Sequence, residues 1–179
     1  DLSEDSGYEE LFVSDISEKT RAYIKIQDGC NQFCSYCIIP YVRGRIRSRA
    51  PEEVIREVEK LTKKGYQEVV LTGIHLSSYG NESVPGNQLD GKKLAELILA
   101  LNALPGLRRI RLGSLEPRIV TKEFVDELKK AEKLCPHFHL SLQSGCDETL
   151  KRMNRKYTAE EYAAACTLLR EAFELPAIT

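Results

Sequence analysis

The chain has 179 residues, of which 30% are charged, and a formal net charge of -1 at pH 7. This length suits one domain with a sizeable core, and the composition excludes a disordered or collagen-like chain. The balanced charge identifies no partner, because a neutral sum can hide a basic face. No apolar run approaches membrane-spanning length, and residues 1–20 lack the basic and apolar regions of a signal peptide. We therefore expect a cytoplasmic protein with no membrane partner.

Residues 1–20 are acidic and show no sustained hydrophobic period, which indicates a linker or the tail of a missing N-terminal domain. A single domain is predicted from residue 21 to residue 179. It opens with RAYIKIQ, whose alternating apolar residues predict a strand. A helix is predicted for PEEVIREVEKLTKKG, with Pro51 at a first helical position and Gly65 as a C-terminal stop.

The same alternation then repeats along the chain. Strands are predicted for QEVVLTG, RRIRLGS and FHLSLQSG, and helices for GKKLAELILALNALPG, TKEFVDELKKAEK and TAEEYAAACTLLREAF. Thr121 is a plausible N-cap, and Thr158 with Glu161 has the pattern of a capping box. PAIT at the end resembles the start of a fifth strand. Strand-helix units in series predict an α/β fold with a parallel sheet, either barrel-like or doubly wound, that is incomplete at its C-terminus.

Three of the six cysteines, Cys30, Cys34 and Cys37, lie in the loop CNQFCSYC that follows the first strand. Disulfides between such close neighbours are geometrically awkward, so metal ligation is the better interpretation. Three thiolates on a four-iron cubane leave one iron open for an exchangeable ligand. The alternative is a zinc site, whose fourth ligand would come from Cys135, His137, His139 or another residue outside the loop. Cys166 lies on an apolar helix face, where a buried structural thiol is expected.

The CxxxCxxC loop, with the aromatic Tyr36 just before its last cysteine, resembles the signature of the radical S-adenosylmethionine (SAM) superfamily. The longer run IKIQDGCNQFCSYCIIPYVRGRIRSR is similar to the methylthiotransferases. It is most similar to the subgroup acting on N6-threonylcarbamoyladenosine in tRNA. LTGIHLSSYG, RLGSLEP and LQSGCDETLKRMNRKYT resemble the same family in order. The resemblance implies a partial (β/α) barrel of the radical SAM type with parallel strands, truncated after about four units.

The resemblance also implies residues that contact SAM. They follow the predicted strands or flank the cluster loop: Tyr36, Gly73, His75, Ser114, Glu116, Ser141, Gln143 and Arg155. In TGIH, His75 stands where many family members carry an acidic residue for the SAM amino group. Ser141 and Gln143 are expected to share one face of the fourth strand. Arg155 could pair with the SAM carboxylate. No side chain is expected to act as acid or base, since the cluster and SAM carry the chemistry.

Four arginines alternate in YVRGRIRSR, at positions 43, 45, 47 and 49. If this segment is extended, all four side chains face one way and form a positive strip that could meet an RNA backbone. A solvated basic edge is the alternative interpretation.

The family resemblance implies an enzyme with a [4Fe-4S] cluster, SAM, and a second cluster in the missing N-terminal domain. The expected reaction transfers a methylthio group to C2 of N6-threonylcarbamoyladenosine at position 37 of tRNA. The expected partners are a tRNA anticodon loop and an electron donor such as a flavodoxin or ferredoxin. The alternatives are an isopentenyladenosine tRNA or a ribosomal-protein aspartate as substrate. A non-catalytic zinc-binding module is a further alternative.

Overall fold

The computed structural model of the protein describes residues 21–82 and 89–179. The strands are β1 (Ala22–Asp28), β2 (Arg47–Ser48), β3 (Glu68–Gly73), β4 (Arg109–Leu112), β5 (His137–Phe138) and β6 (Ala177–Ile178). The helices are α1 (Ile39–Val42), α2 (Pro51–Lys63), α3 (Lys92–Asn102), α4 (Lys122–Leu128), α5 (Asp147–Arg152) and α6 (Ala159–Ala172). The interpretation of residues 1–20 as an acidic linker lies outside the described residues.

The strands form a parallel sheet with one antiparallel edge. Its order is β2-β1-β3-β4, with β1, β3 and β4 parallel and β2 antiparallel to β1. β5 and β6 pair in parallel, and the parallel bridges Ile110–Leu134 and Leu115–Leu140 place this pair beside β4. The predicted parallel α/β architecture is therefore confirmed. None of the helices in the described ranges combines the length and apolar composition needed to span a membrane.

The helices cover one face of this sheet. Alternate residues of the strands, among them Ile24, Leu71 and Ile110, are fully buried in a core to which α2, α3, α4 and α6 contribute. The other face carries polar side chains together with the buried Val70. Near its N-terminal edge Glu68 accepts hydrogen bonds from Arg109 Nε at 2.6 Å and Arg111 Nε at 2.7 Å. The loops at the opposite, C-terminal edge are therefore anchored on a well-packed scaffold.

Helix ends follow the local signals of the sequence. Pro51 begins α2, and Gly65 just beyond its end has a φ of 95°. The Thr121 side chain accepts a hydrogen bond from the backbone N–H of Phe124. Thr158 and Glu161 form the expected capping box at the start of α6. These predictions are confirmed.

Two predicted elements are shorter than expected. α4 ends at Leu128, because the following residues form turns in which the N–H of Lys130 and Ala131 bond three residues back. β5 contains only His137–Phe138, so FHLSLQSG is mostly loop. Beyond β5, an isolated parallel bridge pairs Leu140 with Leu115. The short elements α1, β2 and α5 were not predicted, since each is too brief to show a hydrophobic period.

Candidate metal and cofactor site

A cavity of about 270 Å³ lies at the C-terminal edge of the parallel strands. It is lined by Cys30, Gln32, Cys34, Tyr36, Cys37, Ile39, Ile74, His75, Ser114, Leu115, Glu116, Ser141, Gln143 and Arg155. The three loop cysteines thus share one cavity with every other predicted SAM contact except Gly73. A larger cavity of about 610 Å³ lies between α3 and α4, but no cysteine or histidine lines it. The chemistry-bearing side chains identify the smaller cavity as the candidate site.

The cysteine loop is closed at its base. Gly29 has a φ of 70°, and the backbone N–H of Cys30 donates to Gly44 O at 3.1 Å. Asp28 accepts from Arg43 Nη2 at 2.6 Å and from Lys25 Nζ at 2.6 Å. Burial opposes ionisation of Asp28, but these cations outweigh it and lower its pKa to about 2. The loop therefore starts and ends at one charge-stabilised junction.

A second set of contacts holds the middle of the loop against the end of α5. Ser35 N donates to Met153 O at 3.1 Å, and Asn154 Nδ2 donates to Phe33 O at 2.8 Å. Arg155 Nη1 lies 3.4 Å from Cys34 Sγ. The Asn154 and Arg155 contacts each join residues 121 apart in sequence. Arg155 consequently faces the cysteine set and places a positive charge beside it.

Gln27 joins the cysteine loop to the loop after β3. Its fully buried amide Nε2 donates to Asp28 O at 2.7 Å and Gly29 O at 2.8 Å, while Oε1 accepts from His75 N at 2.7 Å. A Cβ atom at Gly73 would lie 2.8 Å from Gln27 Oε1. Gly73 does not line the cavity. The structure gives it a packing role against Gln27, and a contact from Gly73 to SAM stays a prediction.

His75 is neutral in this environment. Burial lowers its pKa to about 4, and the charges of Arg155 and Arg118 act in the same direction. Its Nδ1 is 2.6 Å from Ser78 Oγ, and its Nε2 is 3.9 Å from Glu116 Oε2. Because the ring is neutral at pH 7, the contact between His75 and Glu116 is not an ion pair. His75 can therefore donate or accept a single hydrogen bond to a bound group, without the negative charge an acidic residue would bring.

Ser141 and Gln143 both line the cavity, but not for the predicted reason. They lie beyond β5 in a loop, and Gln143 has a φ of 65°. The prediction that they share a strand face is wrong, because the ladder stops at Leu140. The Tyr157 hydroxyl is placed to donate to the carbonyls of Ser141 and Leu142 and so holds this loop in position. Ser114 reaches the same cavity from the end of β4.

The four alternating arginines do not form one positive strip. Arg43 and Arg47 both lie beside Asp28, at 2.6 and 3.7 Å, and Arg45 stacks over the Phe33 ring at 4.8 Å. Arg49 is 5% exposed, and its Nη1 lies 2.5 Å from Glu57 Oε2. The prediction fails at Arg49 because the adjacent helix α2 supplies a buried carboxylate that draws this side chain inward.

The cysteine set fits a cluster better than a single ion. Cys30, Cys34 and Cys37 are all free thiols, and burial raises the pKa of Cys30. Among the residues that the structure describes, no three His, Cys, Asp or Glu side chains are gathered around one metal-ion position. The possible zinc ligands Cys135, His137 and His139 do not line the cavity. In a cubane each thiolate binds a different iron, which suits a set of three without a fourth protein ligand.

The cavity also presents buried nitrogen atoms suited to a polar ligand. The atoms are Gln32 Nε2, His75 Nε2 and Arg155 Nε, and none of them has a hydrogen-bond partner within the described structure. Buried polar groups are normally hydrogen-bonded, so these atoms fit the polar part of a bound cofactor such as the amino-acid moiety of SAM.

Cys166 is 6% exposed within the core, as expected for a structural thiol.

Sequence reasoning missed several residues that organise this site. Gln27, Gln32, Arg118 and Tyr157 carry no metal-ligand or catalytic spacing. Gln27 and Gln32 lie within the family-like run IKIQDGCNQFCSYCIIPYVRGRIRSR, and Tyr157 lies within LQSGCDETLKRMNRKYT, so membership of these runs is the signal that could have found them. Their importance comes from contacts between loops, such as Arg118 Nη2 with Gln32 Oε1 at 3.1 Å, across 86 residues of sequence.

Comparison with known proteins places the chain in a family. It is 43% identical over 173 residues to the threonylcarbamoyladenosine tRNA methylthiotransferase MtaB of Bacillus subtilis, covering 96% of this chain and 37% of that protein. It is 39% identical over 162 residues to the tRNA-2-methylthio-N(6)-dimethylallyladenosine synthase of Desulforamulus reducens, covering 90% of this chain and 34% of that protein. The chain thus spans about a third of the length of these relatives.

Solved structures share the fold. The radical SAM methyltransferase TsrM from Kitasatospora setae, with cobalamin and a [4Fe-4S] cluster bound, aligns with a TM-score of 0.65 and 23% identity. The alignment covers 84% of this chain and 29% of that one. The expected partial radical SAM fold is confirmed, and a [4Fe-4S] cluster with SAM is the cofactor set of this superfamily. The sequence model of the family described as "Radical SAM superfamily" matches residues 24–177, so the chain belongs to that superfamily.

Proposed function

We propose that this chain is the cluster- and SAM-binding core of an enzyme that transfers a methylthio group to C2 of N6-threonylcarbamoyladenosine at position 37 of tRNA. The observation that carries the proposal is the shared cavity. Three cysteines of one loop, held by Arg155 and Gly29, line it together with polar residues from the ends of three neighbouring strand segments. An enzyme that binds a cluster and SAM side by side needs this convergence at one sheet edge.

The relatives support methylthio transfer to tRNA in general. Both named relatives modify an adenosine in tRNA, and their names differ in the substituent at N6. The threonylcarbamoyl group is polar and carries a carboxylate, whereas the dimethylallyl group is a hydrocarbon. A cavity lined by donors such as Gln32 and Arg155 suits the polar substituent better. The dimethylallyl (isopentenyl) substrate remains the second candidate because the sequence identities are close.

The bound cluster and SAM would supply the electron transfer and radical chemistry. The protein's own residues supply positions and charge. Cys30, Cys34 and Cys37 would ligate three irons. Arg155 Nη1 lies 3.4 Å from Cys34 Sγ and places a positive charge beside the cysteine set. Neutral His75 lines the cavity without adding charge.

The first test concerns the cluster. Anaerobic iron and sulfide reconstitution, followed by electron paramagnetic resonance of the reduced protein, should show a [4Fe-4S] signal that changes when SAM is added. Cys34→Ala should remove the signal. Cys146→Ala, an exposed cysteine outside the cavity, is the matched control and should retain it. One zinc per chain with no iron would instead favour the non-catalytic zinc module.

The second test concerns the substrate and uses the full-length enzyme. Anticodon stem-loop RNAs carrying threonylcarbamoyladenosine or dimethylallyladenosine at position 37 are incubated with SAM and reduced flavodoxin, or ferredoxin, as electron donor. We expect mass spectrometry to find a methylthio group on the threonylcarbamoyl RNA. Modification of only the dimethylallyl RNA would assign the second substrate. Modification of neither RNA would leave the ribosomal-protein aspartate as the substrate to test. A second cluster and a cytoplasmic location stay predictions.

A further inference from the structure

Gln32 lines the cavity and has a buried hydrogen-bond donor without a partner in the described part of the chain. The residue is 5% exposed, lies between the first two cysteines and lines the cavity. Its Oε1 accepts from Arg118 Nη2 at 3.1 Å. Its Nε2 is buried and has no hydrogen-bond partner in the described part of the chain. Buried polar groups are normally hydrogen-bonded, so a native ligand is expected to meet this donor.

The orientation of the Gln32 amide is fixed by chemistry. A guanidinium group only donates hydrogen bonds, so the amide oxygen must face Arg118 and the amide nitrogen must face away from it. Arg118 is itself held by Glu116, with Nε 2.6 Å from Oε1 and Nη2 2.8 Å from Oε2. Glu116 is 4% exposed, and its N–H donates to Ser77 Oγ at 2.8 Å. A buried chain of contacts therefore aims the Gln32 donor.

We infer that Gln32 is a ligand-binding residue that donates a hydrogen bond to a carboxylate held in the cavity, and that Glu116 and Arg118 are the positioning residues that orient it. Arg155 Nε is a second buried donor without a partner on the same cavity. Two buried donors from residues of one cavity, one of them cationic, match the two oxygens of a carboxylate. The inference gives Glu116 a different role from direct contact with SAM, because both its oxygens already accept from Arg118.

This inference rests on the proposed function, which offers two sources of the carboxylate. One is the amino-acid moiety of SAM. The other is the threonylcarbamoyl substituent of the tRNA adenosine. The dimethylallyl group has no carboxylate, so the second source would also make Gln32 a determinant of substrate specificity.

The test measures ligand binding by the reconstituted full-length enzyme. Gln32→Ala and Gln32→Met remove the donor, and Gln67→Ala at an exposed position is the control. Dissociation constants are measured for SAM, for decarboxylated SAM, and for stem-loop RNAs with threonylcarbamoyl or dimethylallyl adenosine. Since hydrogen bonds to charged groups contribute about 1.5–3 kcal/mol, we expect Gln32→Ala to weaken the carboxylate ligand about tenfold or more. Iron content should match the wild type in each variant.

The ligands separate the two sources. Weaker SAM binding with unchanged binding of decarboxylated SAM identifies the SAM carboxylate. Weaker binding of the threonylcarbamoyl RNA alone identifies the N6 substituent. Glu116→Gln should produce a smaller loss for the same ligand, because it loosens Arg118 without removing the donor. Equal losses for SAM and decarboxylated SAM, or no loss for any ligand, would overturn the inference. A wild-type enzyme that does not bind SAM would instead refute the proposed function.

Discussion

Gly29 stands at the point where β1 turns into the cysteine loop. Its φ is 70°, and a Cβ atom there would lie 1.8 Å from the Arg45 carbonyl oxygen. Both the backbone conformation and the close approach exclude a side chain. We predict that Gly29→Ala separates the two ends of the loop and prevents cluster assembly, measured as iron and sulfide bound after reconstitution. Gly145→Ala, where a Cβ would meet nothing within 4 Å, should assemble a normal cluster.

A second prediction at the residue scale concerns the buried pair Arg49 and Glu57. The two side chains are 4% and 8% exposed, so removing one leaves an uncompensated buried charge. We predict that Glu57→Ala lowers the free energy of unfolding by about 3–5 kcal/mol in urea denaturation. The exposed Glu59→Ala on the same helix should change it by less than about 0.5 kcal/mol. Equal effects of the two variants would show that the pair is not buried in solution.

At the scale of the element, the capping box of α6 is a direct test of sequence-derived structure. The Thr158 side chain accepts from Glu161 N at 3.1 Å, and Thr158 N donates to Glu161 Oε2 at 2.7 Å. We predict that Thr158→Ala destabilises the protein by about 1 kcal/mol in thermal or urea unfolding. Thr167→Ala within the same helix should be neutral or slightly stabilising, because alanine has the higher helix propensity. A loss at Thr167 as large as at Thr158 would contradict the capping explanation.

Elements with many residues in one pattern were predictable. β1, α2 and α6 each repeat an apolar period, β3 contains a short apolar run, and caps such as Thr121 mark where helices begin. β5 was overestimated because its sequence alternates past Leu140 while its partner segment does not continue the ladder. A short helix such as α5 shows too little of a period to detect, although its end positions Asn154 and Arg155 against the cysteine loop.

The position of the candidate site was predictable from the sequence. Parallel strands bring their C-terminal loops to one edge, so the cysteines were expected near Ser114 and Glu116. The side-chain partners were not predictable. Nothing in the sequence links Gln32 to Arg118, or Gln27 to His75, because those contacts depend on how separate loops fold over one another.

At the scale of the whole molecule, buried titratable groups set how stability depends on pH. Asp28 has its pKa lowered from 3.8 to about 2, so its contribution is complete above pH 3.8 and is lost only as pH falls toward 2. Asp28 therefore does not make the free energy of unfolding depend on pH between pH 5 and pH 7. His75 behaves differently, because burial lowers its pKa from 6.5 to about 4. Below pH 6.5 the unfolded chain binds a proton at His75 that the folded protein excludes until about pH 4.

The protein should consequently lose stability as pH falls from 7 to 5, with His75 contributing on the order of 2 kcal/mol over this range. The charged groups around the ring, Arg118 and Arg155 with Glu116 at 3.9 Å, do not reverse this direction, since the lowered pKa already includes them. We predict that His75→Gln flattens the dependence in urea unfolding of the cluster-free protein at pH 5, 6 and 7. The exposed His139→Gln should keep the wild-type slope, and an unchanged slope in His75→Gln would show that the ring is hydrated and free to protonate in the folded state.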